Sequence, residues 1–177
     1  MQIPLVMTII GKDRTGLVES VASLVAEHGG NWLESRMCRL GGEFAGILRI
    51  HVPAEKQAAL MAALNGLQKH GLSVVVSAGE AGTVTGNGQF TTLEIVGHDR
   101  PGIVREIARA LAGQKVNVEE LSSELVSAPM SGETLFKAQA RLQLPEHCDM
   151  AALRAELEKI AADLMVDISF ADLATNK

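Results

Sequence analysis

One module is written twice in this chain, and that repeat limits what the chain can fold into more than any other feature. The run Gly11-Lys12-Asp13-Arg14-Thr15-Gly16-Leu17-Val18 returns as Gly97-His98-Asp99-Arg100-Pro101-Gly102-Ile103-Val104, at an offset of 86. The register persists downstream, where Val21 matches Ile107, Val25 matches Leu111 and Asn31 matches Asn117. Insertions in the second copy widen the offset to 92 at Phe44 and Phe136 and to 94 at Leu72 and Val166. A shared register with matching apolar positions is an internal duplication, so each copy is one folding unit. The 177 residues therefore divide into a first domain over 1–77, a Gly- and Thr-rich linker over 78–89 and a second domain over 90–177.

Within each copy the apolar period switches between two and 3.6. Residues 3–10 and 90–96 are β-rich runs that each reach a glycine, Gly11 or Gly97, and read as strands. Leu17, Val18, Val21 and Val25, and likewise Ile103, Val104, Ile107 and Leu111, fall at helical spacing. Gly29-Gly30 and Gly113 are expected to end these helices, because glycine takes φ > 0 without strain. A second strand starts at Asn31 or Asn117. In the third, Phe44, Gly46, Leu48, Ile50 and Val52 alternate with Ala45, Ile47, Arg49 and His51. Phe136, Ala138, Ala140, Leu142 and Leu144 alternate with Lys137, Gln139, Arg141 and Gln143 in the same way. One sheet face is therefore core, with Phe44 and Phe136 in it. The other is polar in copy two, whereas Ala45 and Ile47 make it a candidate contact patch in copy one.

Pro53 and Pro145 are expected to open a second helix, with Leu60, Leu64 and Leu67, or Leu157, Ile160 and Leu164, as its buried stripe. A last strand follows at 72–76 or 166–170. Each copy reads β-α-β-β-α-β, and the fold class is α+β, two ferredoxin-like domains in tandem.

Composition narrows the function. The net charge is −5, with 7 basic and 7 acidic residues over 1–88 against 9 and 14 over 89–177. Counterion release from phosphates needs clustered Lys and Arg, and no window supplies them, so direct nucleic-acid binding is not expected. One Trp and no Tyr leave no platform for stacking bases. The acidic second half suits a basic protein partner instead. Cys38 and Cys148 stand at non-equivalent places in the copies, as in a reduced intracellular protein. Neither a signal-peptide pattern nor a membrane-length apolar run is present, and the expected location is the cytoplasm.

Catalytic chemistry finds little support. His147 and Cys148 are adjacent near a helix start, where neighbouring side chains point apart. The five histidines show no metal-ligand spacing, so no metal is expected. The first loop lacks the terminal Gly-Lys-Ser/Thr of a phosphate-binding loop, and no dinucleotide fingerprint occurs. We therefore expect neither catalytic residues nor a cofactor, and no enzyme activity. What remains is the strand-to-helix turn. A helix N-terminus directs unpaired N–H groups outward and can hold a carboxylate. Gly16 or Gly102 would let a ligand approach, Arg14 or Arg100 would grip a carboxylate, and Asp13 or Asp99 an ammonium. Together these suit a zwitterionic amino acid. The same residues also fit a plain structural reading, with the Asp capping the helix, the Gly allowing close packing and Asn31 or Asn117 turning the chain.

Gly-His-Asp-Arg-Pro-Gly-Ile-Val at the head of a β-α-β-β-α-β unit, with Asn117 opening the second strand, resembles the ACT domain, a regulatory module of amino-acid metabolism. The first loop with Asn31 fits nearly as well, with Thr15 in place of the usual Pro. Two such domains joined by a short linker resemble the glycine cleavage system transcriptional repressor group. The resemblance implies ACT-type domains that pair edge to edge and bind small effectors, usually amino acids, near the first loop. Residue by residue it carries ligand binding to Asp13, Arg14, Gly16 and Asn31, and to Asp99, Arg100, Gly102 and Asn117. It further implies a homodimer or other homo-oligomer that regulates transcription through protein contact with an activator, glycine being the candidate effector. Two other readings follow from the same residues: a regulatory subunit or fragment of an amino-acid or one-carbon enzyme, and an interaction module without a ligand.

Overall fold

A computed structural model describes residues 1–78, 89–128 and 132–171. The chain divides into two compact units at residues 84 and 85. The linker expected at 78–89 lies outside the described residues except at its ends, where Ala78 closes one strand and Gln89 opens the next.

The first unit runs β1 (Gln2–Lys12), α1 (Leu17–Glu27), β2 (Asn31–Leu40), β3 (Glu43–Pro53), α2 (Gln57–Gly66) and β4 (Leu72–Ala78). The second runs β5 (Gln89–His98), α3 (Ile103–Gly113), β6 (Asn117–Ser127), β7 (Thr134–Leu144), α4 (Met150–Leu164) and β8 (Val166–Ala171). The sheets are antiparallel, ordered β2-β3-β1-β4 and β6-β7-β5-β8. Two tandem ferredoxin-like domains, the architecture read from the sequence, are therefore what the chain forms.

The central strands carry the alternation that covers one sheet face with helices. Leu5, Met7 and Ile9 of β1 and Leu48, Ile50 and Val52 of β3 are buried against Leu17, Val21 and Val25 of α1 and Leu60 and Leu64 of α2. The second unit repeats this with Leu93, Ile95, Leu142 and Leu144 against Ile103, Ile107, Leu153 and Leu157. Each such side chain contributes about 1.5–3 kcal/mol by leaving water.

Local details depart from expectation. Phe44 and Phe136 are half-buried and pack at the core's margin, because they stand at the strand ends beyond the fully covered positions. Val18 and Val104 continue the helical spacing but each remains 44% exposed, on the helix flank that faces away from the sheet. Ile160 and Leu164 are likewise only half-buried, and Leu153 takes their place in the core.

The second helices begin later than the prolines. A short 3-10 turn over Ala54–Lys56 separates Pro53 from α2, and Asp149, four residues after Pro145, caps α4 by accepting from the Ala152 N–H at 2.9 Å. Gly113 is the last helical residue of α3 and not its left-handed stop. That stop is Lys115, at φ 56° where α1 uses Gly29 at φ 69°. Both helices close alike, with Gly30 N–H donating to the Val25 carbonyl and Val116 N–H to that of Leu111.

Gly11 and Gly97 do more than terminate strands. A Cβ on Gly11 would lie 2.4 Å from the Gly71 carbonyl oxygen, and one on Gly97 would lie 2.7 Å from the Val166 Cα. Only glycine lets the last strand start this close to the first.

Candidate functional site

Each strand-to-helix loop leaves a central strand and enters the first helix through a left-handed glycine, Gly16 at φ 90° and Gly102 at φ 99°. Nothing lies within 4 Å of a Cβ placed on either, so these glycines serve backbone conformation and open space and do not serve close packing. Neither helix start receives a side-chain cap. Asp13 and Asp99 are thus not the helix caps that the structural reading of the sequence allowed, and the first-turn N–H groups stay open to an anion.

The two loops use their charged residues differently. In the first, the Asp13 N–H donates to the Gly42 carbonyl at 3.0 Å, and the Asp13 carboxylate accepts from Arg39 Nη1 at 3.2 Å. Arg14 Nη2 donates to the His70 carbonyl at 2.9 Å, at the carboxyl end of the helical segment after α2. There the guanidinium meets the negative end of the helix dipole. In the second loop, Arg100 Nη2 reaches, among the described residues, only the Met165 sulfur at 3.8 Å, a weak acceptor. The Asp99 N–H lies 3.4 Å from the Thr134 carbonyl. Its carboxylate has no ion pair among the described residues, because Leu125 stands opposite Phe136 where Arg39 stands opposite Phe44. Composition gave no hint of Arg39, His70 or Met165. The usable signal was the repeat itself, which aligns Arg39 with Leu125.

Asn31 and Asn117 do not join these loops within a module. Asn31 lies opposite His51 and, across β3, level with Pro4, eight residues before Lys12 on β1. At about 3.3 Å per residue that is roughly 26 Å along the sheet. Asn117 is level with Phe90 through Gln143, equally far from His98, and its amide donates to Glu119.

A shallow polar hollow lined by Glu94, Ser122, Glu124, Lys137 and Gln139 contains no residue of either loop. The Cys148 thiol is held above its ordinary pKa, first by burial and then by the Asp149 carboxylate, which disfavours the nucleophilic thiolate. No cluster of metal-ligating side chains occurs among the described residues, and no helix there is long and apolar enough to cross a membrane.

The family model of the ACT domain matches residues 4–77 and again residues 89–171. The chain belongs to the ACT domain family. As a tandem ACT protein it is similar over 98% of its length to the whole of an unknown protein from Galdieria sulphuraria, at 28% identity and a TM-score of 0.83. It is also similar, over 97% of both chains, to a structure provisionally named a glycine cleavage system transcriptional repressor, at 21% identity and a TM-score of 0.70. These likenesses extend the ACT fold across both modules. No curated protein matches the chain.

Proposed function

We propose that this tandem ACT protein is a non-enzymatic cytoplasmic regulator that binds an amino acid, with glycine the first candidate, and controls transcription by protein contact without binding DNA. The observation that carries the effector reading is the loop at Gly102. An uncapped helix start with open space beside it stands next to two residues that, among the described residues, are little used: the Asp99 carboxylate has no ion pair and Arg100 meets only the Met165 thioether. An α-carboxylate and an α-ammonium would find complementary partners there.

A ligand at the loop is too small to reach the asparagine of the same module, so Asp13 with Asn31, or Asp99 with Asn117, does not make one site within a module. The name of the 21%-identical structure supports the transcriptional part, as does the acidic balance, which opposes phosphate contact. The test is a thermal-shift screen of the twenty amino acids. A bound effector at a hundredfold excess over Kd stabilises the fold by about 2.7 kcal/mol. Absence of any shift at millimolar concentration would defeat the effector reading, and a mobility shift of duplex DNA by the purified protein would defeat the protein-contact reading.

A further inference from the structure

We infer that Met165 is a modification site: a hydroperoxide converts its thioether to the sulfoxide, and the added oxygen takes hold of Arg100 in the second loop. Met165 follows α4 in a left-handed backbone position, at φ 53°, which Gly71 fills at φ 78° in the first module. The turn itself favours glycine, since an L side chain is strained there. A strained side chain that persists beside a candidate site is a mark of function. What this side chain does is meet Arg100, whose Nη2 lies 3.8 Å from the sulfur and has no other acceptor among the described residues. In the first module the matching residue has no side chain, and Arg14 donates to the carbonyl of the residue before it, His70, at 2.9 Å. The second module thus offers its loop arginine a weak sulfur acceptor where the first offers a strong carbonyl.

The sulfur is open, dispensable to the core and well placed. Met165 is 57% exposed, within reach of a small oxidant. It does not pack against the second hydrophobic core, whereas Met150 does, so a polar sulfoxide at Met165 disturbs no core packing. Distance favours the new bond. An oxygen about 1.5 Å from the sulfur, on the side of Arg100, comes within roughly 2.8 Å of Nη2 with an angle of about 120° at the oxygen, inside the range of a good hydrogen bond. A weak contact becomes a charge-assisted bond.

In the step, a sulfur lone pair attacks one peroxide oxygen and the O–O bond breaks. The proton of the transferred oxygen passes to the leaving oxygen, which departs as water or an alcohol. The sulfur gives up two electrons and the peroxide takes them; methionine sulfoxide reductases reverse the change. A thioether leaves Arg100 available to an incoming carboxylate, whereas the sulfoxide oxygen occupies it. Oxidation would bring the second loop to the condition of the first, whose arginine is already bound. That last consequence rests on the effector reading; the oxidation and its hold on Arg100 do not.

The test treats the full chain with hydrogen peroxide. Peptide mapping should find Met165 oxidised at least roughly tenfold faster than Met7, which is fully buried. The Nε–H resonance of Arg100, assigned by its loss in Arg100→Lys, should shift on oxidation, exchange more slowly with water, and return after reductase treatment. Met165→Gly, which installs the residue of the first module, should fold and leave that resonance indifferent to peroxide. Met165→Gln places a carbonyl oxygen where the sulfoxide oxygen would be, and should hold Arg100 without any oxidant. An Arg100 resonance unmoved by oxidation, the same change in Met165→Gly, or Met165 oxidised no faster than Met7 would each overturn the inference. Where an amino acid shifts the melting curve, oxidation should shrink that shift in the wild type and not in Met165→Gly, and a shift that survives oxidation would overturn the regulatory consequence. If no amino acid binds, the effector reading fails by itself, and the Arg100 resonance still decides whether the sulfoxide takes hold.

Discussion

Lys115 holds in the second module the left-handed backbone position that Gly29 holds in the first. Met165 stands in the same relation to Gly71, at φ 53° against 78°. An L side chain in that region crowds its own carbonyl at a cost of roughly 1–2 kcal/mol, and glycine's greater freedom in the unfolded chain returns part of the difference. Lys115→Gly should therefore raise the stability of the second module by about 1 kcal/mol, read from the denaturant midpoint. An unchanged or lower midpoint would mean that the conformation carries no strain.

Arg14 and Arg100 should differ in what their removal costs. Arg14→Ala loses a charge-assisted bond to the His70 carbonyl on an exposed surface, which after allowance for solvent is worth about 1 kcal/mol. Arg100→Ala loses only a long contact to sulfur and should stay within about 0.5 kcal/mol of wild type. Paired denaturation curves decide it, and equal losses would contradict the contrast between the loops.

The same contrast bears on ligand binding. Asp13 already faces Arg39, whereas Asp99 has no such pair among the described residues. If an amino acid binds, Asp99→Ala should remove more of the ligand-induced melting shift than Asp13→Ala does, and Arg39→Leu should strengthen binding at the first loop. The quantity to compare is the shift on adding ligand, since either substitution also alters the unliganded protein. A shift untouched by substitution at both loops would place the effector elsewhere.

Gly11→Ala and Gly97→Ala should each destabilise their module by about 2–3 kcal/mol, since the added methyl meets backbone that cannot rotate aside. Phe44→Ala and Phe136→Ala should cost less than the roughly 3–5 kcal/mol of a fully buried phenylalanine, because both rings are only half-buried. Leu93→Ala and Leu142→Ala, at fully buried positions, should fall in the range of about 2–5 kcal/mol. Urea titration of the six variants would test the ranking.

The strands, the first helices and the duplication could be read from the sequence because they depend on local period and on a register repeated 86 residues later. Depth along a strand could not. The alternation that contains Phe44 gives its face but not how far the helices extend over it. Left-handed positions were legible where glycine marked them, as at Gly29, and hidden at Lys115, where the neighbouring Gly113 drew the assignment two residues early. In the loops the residue types and their order were visible. Their partners were not, since the Arg14 acceptor is a backbone carbonyl 56 residues away, which any residue type could supply. The spacing between Asp13 and Asn31 followed only from strand register, which set them at opposite ends of one sheet.

Lys137, Gln139, Glu124 and Ser169 stand in the second sheet where the first carries Ala45, Ile47, Cys38 and Val75. The duplicated modules are therefore no longer interchangeable: a chain built from two first modules would keep the fold and expose a different surface.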